Sequence, residues 1–286
     1  MQEPGFQRTL TVISQMKEKA LYHRFLNLLD VQVAAPSMHH LTDLISAHLS
    51  VIPFENISKL YNRDLYRVDG IPSLEQYLDG ISQHHFGGTC YANNYCFYRL
   101  LGFLGYDVKL CAADMKNPGV HMVVLVTIDE KEYLVDVGYA APFKHPVPLD
   151  LKADYTIRYG RDEYHFRPRD GNGITQMVML RNGAPKHGYL VRPEARNIDD
   201  FTGVILESYR PDSTFFRSLL LTKFISGRFC ILHNMQYTES TPTGSTSFEL
   251  ESKDELVALV ESRFQIPGTI AGKVLFDLDL SGDAWD

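Results

Sequence analysis

The 286-residue sequence lacks an excess of basic residues, closely spaced cysteines and long apolar runs. Its 28 lysines and arginines are outnumbered by 35 aspartates and glutamates, so it has no basic field to attract a nucleic acid or an anionic membrane surface. No stretch approaches the roughly 18 apolar residues that a membrane-spanning helix needs, and residues 1–10 lack the basic-then-apolar pattern of a secretion signal. We therefore expect a cytoplasmic protein that binds neither nucleic acid nor membranes.

The cysteines are too far apart to form a CxxC pair, and they are Cys90, Cys96, Cys111 and Cys230. This spacing is neither that of a zinc ribbon nor that of a secreted disulfide framework, and a reducing compartment fits it best. Adjacent histidines at 39–40 and 84–85 add no standard zinc spacing, because two neighbouring imidazoles cannot easily bind one ion. The sequence therefore predicts no metal site.

Helical periodicity dominates the first part of the chain. Apolar residues at helical spacing predict two helices between about residues 16 and 50. Ser37 is a plausible N-cap of the second, and Pro53 ends it because proline disfavours a helical conformation in the residue before it. Further helices are predicted at 73–83 and 90–104.

Strand patterns follow, and they are then succeeded by a mixed segment. Strands are predicted at 108–112, 121–128, 132–137, 155–159, 164–168 and 175–180. The mixed segment has predicted helices near 212–221 and at 252–264, with strands near 227–236 and 247–250 between them. Residues 267–286 are interpreted as a loose acidic tail. Helices, then antiparallel strands, then a mixed piece indicate an α+β fold.

Cys90 opens a predicted helix directly after the glycine pair Gly87 and Gly88. Glycines allow unusual backbone turns and a close approach of substrate, while the amides and dipole of a helix N-terminus favour a thiolate. A small buried side chain is the commoner role of a cysteine. The glycine context favours a nucleophile here.

His121 and Asp136 are the best candidates for a base and its partner. His121 begins an apolar strand pattern just after the loop at 117–119, where a strand-end side chain can point into a cleft. Asp136 lies inside the next apolar run, where a carboxylate is costly unless it is paired. A tight turn at 129–130 would bring the two strands together, so that Asp136 could orient the imidazole as the third member of a triad does.

These residues, with several further motifs in the same order, resemble the arylamine N-acetyltransferase family of the bacterial type. The matching motifs are Ile-Pro-Phe-Glu-Asn at 52–56, Gly-Gly-x-Cys at 87–90, the strand-leading histidine at 121, Leu-Val-Asp-Val-Gly-Tyr at 134–139, Pro-Asp-Ser-Thr-Phe at 211–215 and Gly-Arg-Phe at 227–229. The resemblance runs from about residue 21 to residue 267. Several spaced motifs in one order are more specific than any one of them.

The resemblance implies three parts: an N-terminal helical bundle at 1–104, a central antiparallel β-barrel at 105–198, and a C-terminal α/β lid with the tail at 199–286. It implies ping-pong transfer of an acetyl group from acetyl-CoA, as co-substrate and without a metal. The acceptor would be the nitrogen or oxygen of an arylamine, arylhydrazine or N-hydroxyarylamine. A monomer or weak homo-oligomer is expected.

Roles for individual residues follow from the same resemblance. Cys90 would be the acetylated nucleophile, His121 the general base and Asp136 the orienting carboxylate. The aromatic residues implied in the acceptor pocket are Phe54, Tyr139 and Phe215, and those implied at the coenzyme A site are Gly119 and Val120. A basic rim, from Arg217 or Lys223, would suit the phosphates of coenzyme A.

The sequence departs from the family pattern near the cysteine. Phe86 and Ala92 stand where the family has an arginine and a glutamate, so Glu55 needs another partner, for which Arg24 is the candidate. Ala140 replaces a glycine and would narrow the cleft. Because none of these changes touches the triad, we expect acyl transfer to be retained.

Three other functions are compatible with parts of this pattern. A papain-type or transglutaminase-type hydrolase shares the order Cys, His, Asp but leaves the outer motifs unexplained. A macrolactam-forming amide synthase is a sister activity on the same fold. A degenerate, non-catalytic binding member would account for Phe86 and Ala92, and it predicts no acetyl label on Cys90.

Overall fold

The computed structural model describes residues 4–66 and 70–285, with side chains from residue 15 onward except 65 and 66. The helices are α1 (Pro4–Leu29), α2 (Met38–Val51), α3 (Ile57–Tyr66), α4 (Leu74–His84), α5 (Cys90–Phe103), α6 (Thr202–Glu207), α7 (Thr214–Arg217), α8 (Lys253–Leu259) and α9 (Gly268–Leu275). A 3₁₀ turn at Ile198–Phe201 precedes α6, and a π-helical turn at Val260–Phe264 continues α8. Within the described residues, every helix is too short or too polar to cross a membrane.

The strands form two antiparallel sheets. They are β1 (Phe54–Glu55), β2 (Asp107–Asp114), β3 (His121–Ile128), β4 (Lys131–Val135), β5 (Val147–Pro148), β6 (Tyr155–Tyr159), β7 (Asp162–Phe166), β8 (Thr175–Arg181), β9 (Ala184–Ala195), β10 (Leu220–Ile225), β11 (Arg228–His233), β12 (Gln236–Thr241) and β13 (Gly244–Glu249). The larger sheet has the order β5-β4-β3-β2-β9-β8-β7-β6 and curls into a half-barrel. The smaller has the order β1-β10-β11-β12-β13. This arrangement confirms the α+β class.

The predicted helix boundaries are confirmed where a capping residue marks them. Ser37 caps α2 by accepting a hydrogen bond from the His40 amide at 3.2 Å, and α2 ends two residues before Pro53. Ser73 caps α4 in the same way, and the Ser73 amide in turn donates a hydrogen bond to Gln76 Oε1 at 2.9 Å. Each cap satisfies amides that a helix N-terminus leaves without an intrahelical partner.

The hairpin between β3 and β4 determines where the candidate base meets its partner. Asp129 and Glu130 have φ of 50° and 61°, the left-handed pair that a two-residue hairpin turn requires. The register pairs Ile128 with Lys131 and runs back to Val124 opposite Val135. As a result, the start of β3 and the end of β4 lie side by side, as the sequence predicts.

Two apolar cores lie on either side of the smaller sheet's first strand. The larger core packs α1, α2, α4 and α5 against the curled sheet, around residues such as Phe25, Phe97 and Tyr164. The second core joins α3, α8 and α9 to the smaller sheet, and Ile57 and Phe264 are fully buried in it. Because β1 pairs with β10, residues far apart in sequence share this second core.

Two expectations for the C-terminal part are wrong. The helix predicted near 212–221 is limited to α7, and the apolar run after it forms β10, because a buried strand and a buried helix look alike over a few residues. Residues 267–285, the described part of the predicted tail, are not loose: they contain α9, Asp283 pairs with Lys186 at 2.7 Å, and Trp285 is 4% exposed. The acidic residues of this stretch therefore anchor it. The sequence prediction also missed α3 and β9.

Candidate active site

Cys90 is the first residue of α5 and is buried at the wall of a deep cleft. At Gly87, and at Gly138 after Asp136, the chain passes very close to other backbone, and a Cβ on Gly88 would lie 2.7 Å from the Ala92 side chain. A Cβ on Gly87 would lie 1.8 Å from the Pro53 carbonyl oxygen, and one on Gly138 would lie 2.8 Å from the Cα of Cys90. Only glycine fits such approaches. The loop before the cysteine is thus held tightly in place.

His121 and Asp136 form a buried pair. His121 Nε2 lies 2.8 Å from Asp136 Oδ2, and the two residues are 1% and 4% exposed. The other carboxylate oxygen, Oδ1, accepts hydrogen bonds from Asn94 Nδ2 at 2.8 Å and from the Gly138 amide at 3.1 Å. Asp136 therefore has the donors that a buried carboxylate needs, and it fixes the imidazole ring.

The charge state of His121 follows from these contacts. Burial works to lower its pKa, but the charge of Asp136, the hydrogen bond to it and the nearby Cys90 together raise the pKa from 6.5 to about 10. Nδ1 of His121 makes no hydrogen bond of regular geometry within the described part of the chain, although Cys90 is near enough to contribute to this rise. At neutral pH the ring is an imidazolium with one nitrogen free.

The cleft encloses about 550 Å³, and most of the predicted site residues line it. Those that do are Phe54, Cys90, Val120, His121, Tyr139 and Phe215. Asp136 lies behind His121, and Gly119 lies outside the lining, with its amide bound to Asp114 Oδ1 at 2.8 Å. The volume is in the usual range for a small-molecule site.

Lys59, His187 and Trp285 are among the cleft residues that were missed from the sequence. Each lies on an element that the sequence analysis missed or misread, namely α3, β9 and the C-terminal stretch. The Tyr139 hydroxyl and His187 Nδ1 share a hydrogen bond of 2.7 Å. Burial and the charge of His121 lower the pKa of His187 to about 4, so it is neutral at physiological pH. A strand pattern through 184–195 could have located His187, but Gly188 and two prolines obscure it.

Arg24 is not the partner of Glu55. Arg24 binds Asp79 at 2.6 Å and Ser82, whereas Glu55 is fully buried elsewhere. Its two carboxyl oxygens accept hydrogen bonds from the amides of Gly87 at 3.1 Å and Ser58 at 2.8 Å. Burial raises the pKa of Glu55 against these bonds. In this protein, backbone amides replace the arginine that the family resemblance implies.

The other departures from the family pattern are accommodated by packing. Phe86 is 4% exposed and contacts Tyr61, with ring centres 5.7 Å apart. Ala92 is buried against Gly88, where a longer side chain would have to find other space. Ala140 has φ of 63°, a conformation in which glycine is the less strained residue. It does not line the cleft, so it does not narrow it directly.

The remaining candidates lie outside this cleft. Burial raises the pKa of Cys96 and Cys111 to about 12 and also raises that of Cys230, so these thiols remain protonated and unreactive. Lys223 is buried in β10, and Arg217 contacts Asp279 and Ser281 away from the lining residues, so neither forms a rim here. Within residues 4–66 and 70–285, no group of three or more acidic, histidine or cysteine side chains is arranged for a metal ion.

The geometry defines a class of protein. A cysteine at a helix N-terminus, beside a buried imidazolium–carboxylate pair in a cleft of small-molecule size, is the arrangement of an enzyme that transfers or hydrolyses acyl groups through a thiol.

Known proteins narrow this class. The N-acetyltransferase family model matches residues 37–271. The arylamine N-acetyltransferase pineal gland isozyme NAT-10 of Gallus gallus is 30% identical over 225 residues, which are 70% of this chain and 76% of the relative. Proansamycin X synthase of Amycolatopsis mediterranei is 33% identical over 127 residues, 42% of this chain and 48% of the relative.

A solved structure agrees in fold. The arylamine N-acetyltransferase of Mycobacterium marinum in complex with CoA aligns over 91% of this chain and 99% of that one, with a TM-score of 0.75 and 22% identity. The chain therefore belongs to the arylamine N-acetyltransferase family, and it is an acetyltransferase of that enzyme class. The resemblance found in the sequence is confirmed.

Proposed function

We propose that this enzyme transfers an acetyl group from acetyl-CoA to an arylamine, arylhydrazine or N-hydroxyarylamine, through an acetyl-cysteine intermediate on Cys90. The observation that carries the proposal is the buried His121–Asp136 pair beside Cys90 in one cleft. Val120 and the adjacent Gly119 would border coenzyme A. The three parts inferred from the sequence, 1–104, 105–198 and 199–286, would meet at this cleft.

The first half-reaction uses the resting charge state. The reaction needs a thiolate as nucleophile, and the imidazolium of His121 would stabilise that form of Cys90. Its Sγ attacks the thioester carbonyl, the new S–C bond forms, and the bond to the CoA sulfur breaks. The leaving thiolate takes the proton of His121 and departs as CoA thiol. His121 is then neutral.

The second half-reaction uses that neutral ring as a base. Acetylation removes the negative charge of Cys90, which is one of the causes that raise the pKa of His121. The acceptor nitrogen attacks the acetyl carbonyl, its proton moves to Nδ1 of His121, and the electron pair of the broken C–S bond returns to Sγ. Asp136 holds the ring by Nε2 in both steps. The product leaves, and thiolate and imidazolium are restored.

The cleft walls suit a planar aromatic acceptor. The rings of Phe54 and Phe215 lie 5.7 Å apart, and Tyr139 stands beside the His121 ring at 5.9 Å. Aromatic side chains bind other rings by offset or edge-to-face contact. Such walls would place the amine of an aniline-type molecule next to the acetylated sulfur.

Mass spectrometry after incubation with acetyl-CoA, without acceptor, tests the proposal. We expect one acetyl group on the peptide that contains Cys90, and its loss on addition of an arylamine. Cys90→Ala should remain unlabelled and inactive while keeping its fold. Cys96→Ala is the matched control, because Cys96 lies in the same helix with a buried, protonated thiol, and it should keep the label. A label that persists in Cys90→Ala, or none in the wild type, would contradict the proposal.

One relative favours a second candidate, an amide synthase that closes a macrolactam. That relative is named a proansamycin X synthase. The same thiolate and base would serve, but the donor would be a large acyl thioester whose own amine is the acceptor. Acylation of Cys90 by a long-chain acyl thioester but not by acetyl-CoA would favour this second function.

A further inference from the structure

Lys59 is a buried cation on the wall of the cleft that contains Cys90. It lies in α3 and is 6% exposed. Nζ donates a hydrogen bond to Ser208 Oγ at 2.7 Å and stands 4.2 Å from the centre of the Tyr209 ring. The Ser208 hydroxyl in turn donates to the Ile205 carbonyl at 2.6 Å, so its oxygen is fixed toward Lys59.

Lys59 has no carboxylate of its own. Within the described side chains, no acidic oxygen lies within 4.0 Å of Nζ, and Glu55 at the start of the same segment is bound by backbone amides. Arg63, one turn further along α3, adds a second positive charge, and its guanidinium pairs with Asp64. The direct contacts of the Lys59 ammonium are a hydroxyl and an aromatic ring, so an anion that reached it would stabilise its charged form.

The acidic groups of the cleft do not fill this role. Glu207 and Asp212 line the cleft, but both are exposed, and Asp212 pairs with Arg210 at 3.3 Å. Burial and Arg63 lower the pKa of Lys59 to about 7, against the opposing effect of Cys90. The group therefore gains or loses its charge near neutral pH, and an anion held beside it would keep it protonated.

We propose that the cleft accepts a substrate that bears a carboxylate, and that Lys59 binds this carboxylate. The inference rests on the proposed function, because the carboxylate belongs either to the ring of the acceptor or to the acyl chain of the CoA donor. A single buried ammonium matches a single negative charge in aromatic surroundings. The phosphates of coenzyme A would find the exposed cation Lys116 at the cleft instead.

The acceptor arm of the test compares 4-aminobenzoate with the neutral 4-aminobenzamide, with acetyl-CoA as donor. In Lys59→Met, kcat/KM for the carboxylate should fall by about tenfold or more relative to the amide, mainly through KM, because one charged hydrogen bond is lost. Lys59→Arg keeps the charge and should restore part of the preference. Lys152→Met removes an exposed lysine outside the cleft and should leave the ratio unchanged.

The donor arm compares succinyl-CoA with acetyl-CoA. The rate at which each acylates Cys90 is followed by mass spectrometry without acceptor, in the wild type, Lys59→Met and Lys152→Met. A carboxylate on the acyl chain predicts that Lys59→Met slows succinylation by about tenfold or more relative to acetylation. If Lys59→Met loses the preference for the charged substrate in one arm, the inference is supported, and that arm shows whether the acceptor or the donor carries the carboxylate. Equal effects on charged and neutral substrates in both arms would overturn it.

A binding measurement separates this inference from the proposed function. Calorimetry measures the affinity of benzoate and of benzamide for Cys90→Ala, with and without Lys59→Met. If no acyl transfer is found with any donor, the proposed function fails. Benzoate binding that weakens in Lys59→Met still supports a carboxylate site, and benzoate binding that is absent or independent of Lys59 rejects it.

Discussion

His121 and Lys59 are both buried basic side chains on the wall of one cleft, and their surroundings move their pKa values in opposite directions. Burial disfavours the charged form of each. Asp136 lies 2.8 Å from His121 and outweighs burial, so the pKa of His121 rises to about 10. Lys59 has a serine hydroxyl and aromatic rings instead, and its pKa falls to about 7.

The difference shows that a single carboxylate decides whether a buried base is charged at neutral pH in the resting enzyme. His121 has its counter-charge built in, as a group needs if it is to supply and take up a proton in every cycle. Lys59 leaves the place of the counter-charge open to a ligand. The proposed mechanism and the proposed specificity therefore use opposite solutions of the same electrostatic problem.

The largest expected effect comes from removing the counter-charge of His121. In Asp136→Asn, only Cys90 still opposes the effect of burial, so the pKa of His121 should fall below neutral and the imidazolium that would stabilise a Cys90 thiolate is lost. We expect kcat/KM to fall roughly 10³–10⁴-fold, by analogy with other triads. Alkylation of Cys90 by iodoacetamide should slow in parallel.

The control for that variant is Asp162→Asn. Asp162 is also buried, at 3% exposure, and pairs with Arg181 at 2.8 Å; neither residue lines the cleft, although Arg181 lies over the Trp285 ring at 5.5 Å. Its loss should lower stability but leave the alkylation of Cys90 fast. If Cys90 is alkylated as fast in Asp136→Asn as in Asp162→Asn, the charge that Asp136 maintains on His121 does not control the reactivity of Cys90.

The next effect comes from giving Lys59 the counter-charge that it lacks. Ser208→Asp places a carboxylate beside Nζ of Lys59. This carboxylate should raise the pKa of Lys59 and form an ion pair with its ammonium, so that a substrate carboxylate can no longer bind there. The preference for 4-aminobenzoate over 4-aminobenzamide should then fall by about tenfold. Ser208→Asn is the uncharged control of similar size and should retain the preference better. An unchanged preference for 4-aminobenzoate in Ser208→Asp would show that Lys59 does not bind the carboxylate of this substrate.

The smallest effect is on stability as a function of pH. The raised pKa of His121 gives stability that is complete below pH 6.5 and is lost as pH rises through about 10. The lowered pKa of Lys59 works in the opposite sense: folded Lys59 loses its proton near pH 7 while the unfolded chain keeps it to 10.5, so stability rises with pH between these values. In the wild type the two slopes offset each other.

Lys59→Met should remove the contribution of Lys59 to the pH dependence of stability and leave that of His121 unopposed. Between pH 7 and pH 8, the free energy of unfolding of Lys59→Met should drop by about 1 kcal/mol relative to the wild type, because half of a proton or more is no longer taken up on unfolding. Urea unfolding at the two pH values measures this. Parallel curves for the two proteins would mean that Lys59 keeps an ordinary pKa.

Much of the fold, and the approach of Cys90, His121 and Asp136 to one another, could be predicted because the relevant signals are local. Ser37 and Ser73 mark helix starts, the turn at 129–130 sets a hairpin register, and the glycines before Cys90 mark a constrained loop. Each of these depends on a few neighbouring residues. These helix starts, this turn and this loop form in the same way whatever distant segments pack against them.

What the sequence could not reveal depends on long-range packing. The partner of Arg24 is set by how α1 lies on α4, and Glu55 is satisfied by amides of a loop that no local pattern places beside it. Lys59 looks like an ordinary surface lysine until residues 208 and 209 cover it. Trp285 stands in an acidic stretch whose composition is typical of a loose tail, yet that stretch packs against β9.

The two-residue strand β1 connects the smaller sheet to the loop before Cys90. On one side it pairs with β10 of the smaller sheet; on the other, the Glu55 amide donates to the Gly88 carbonyl at 3.1 Å and the Glu55 side chain accepts from the Gly87 amide. The loop that leads into Cys90 thus lies along the outer edge of that sheet. A substitution that shifts β10 would therefore displace β1, and with β1 the loop before Cys90. The position of the Cys90 sulfur can thus change although no residue that lines the cleft is altered.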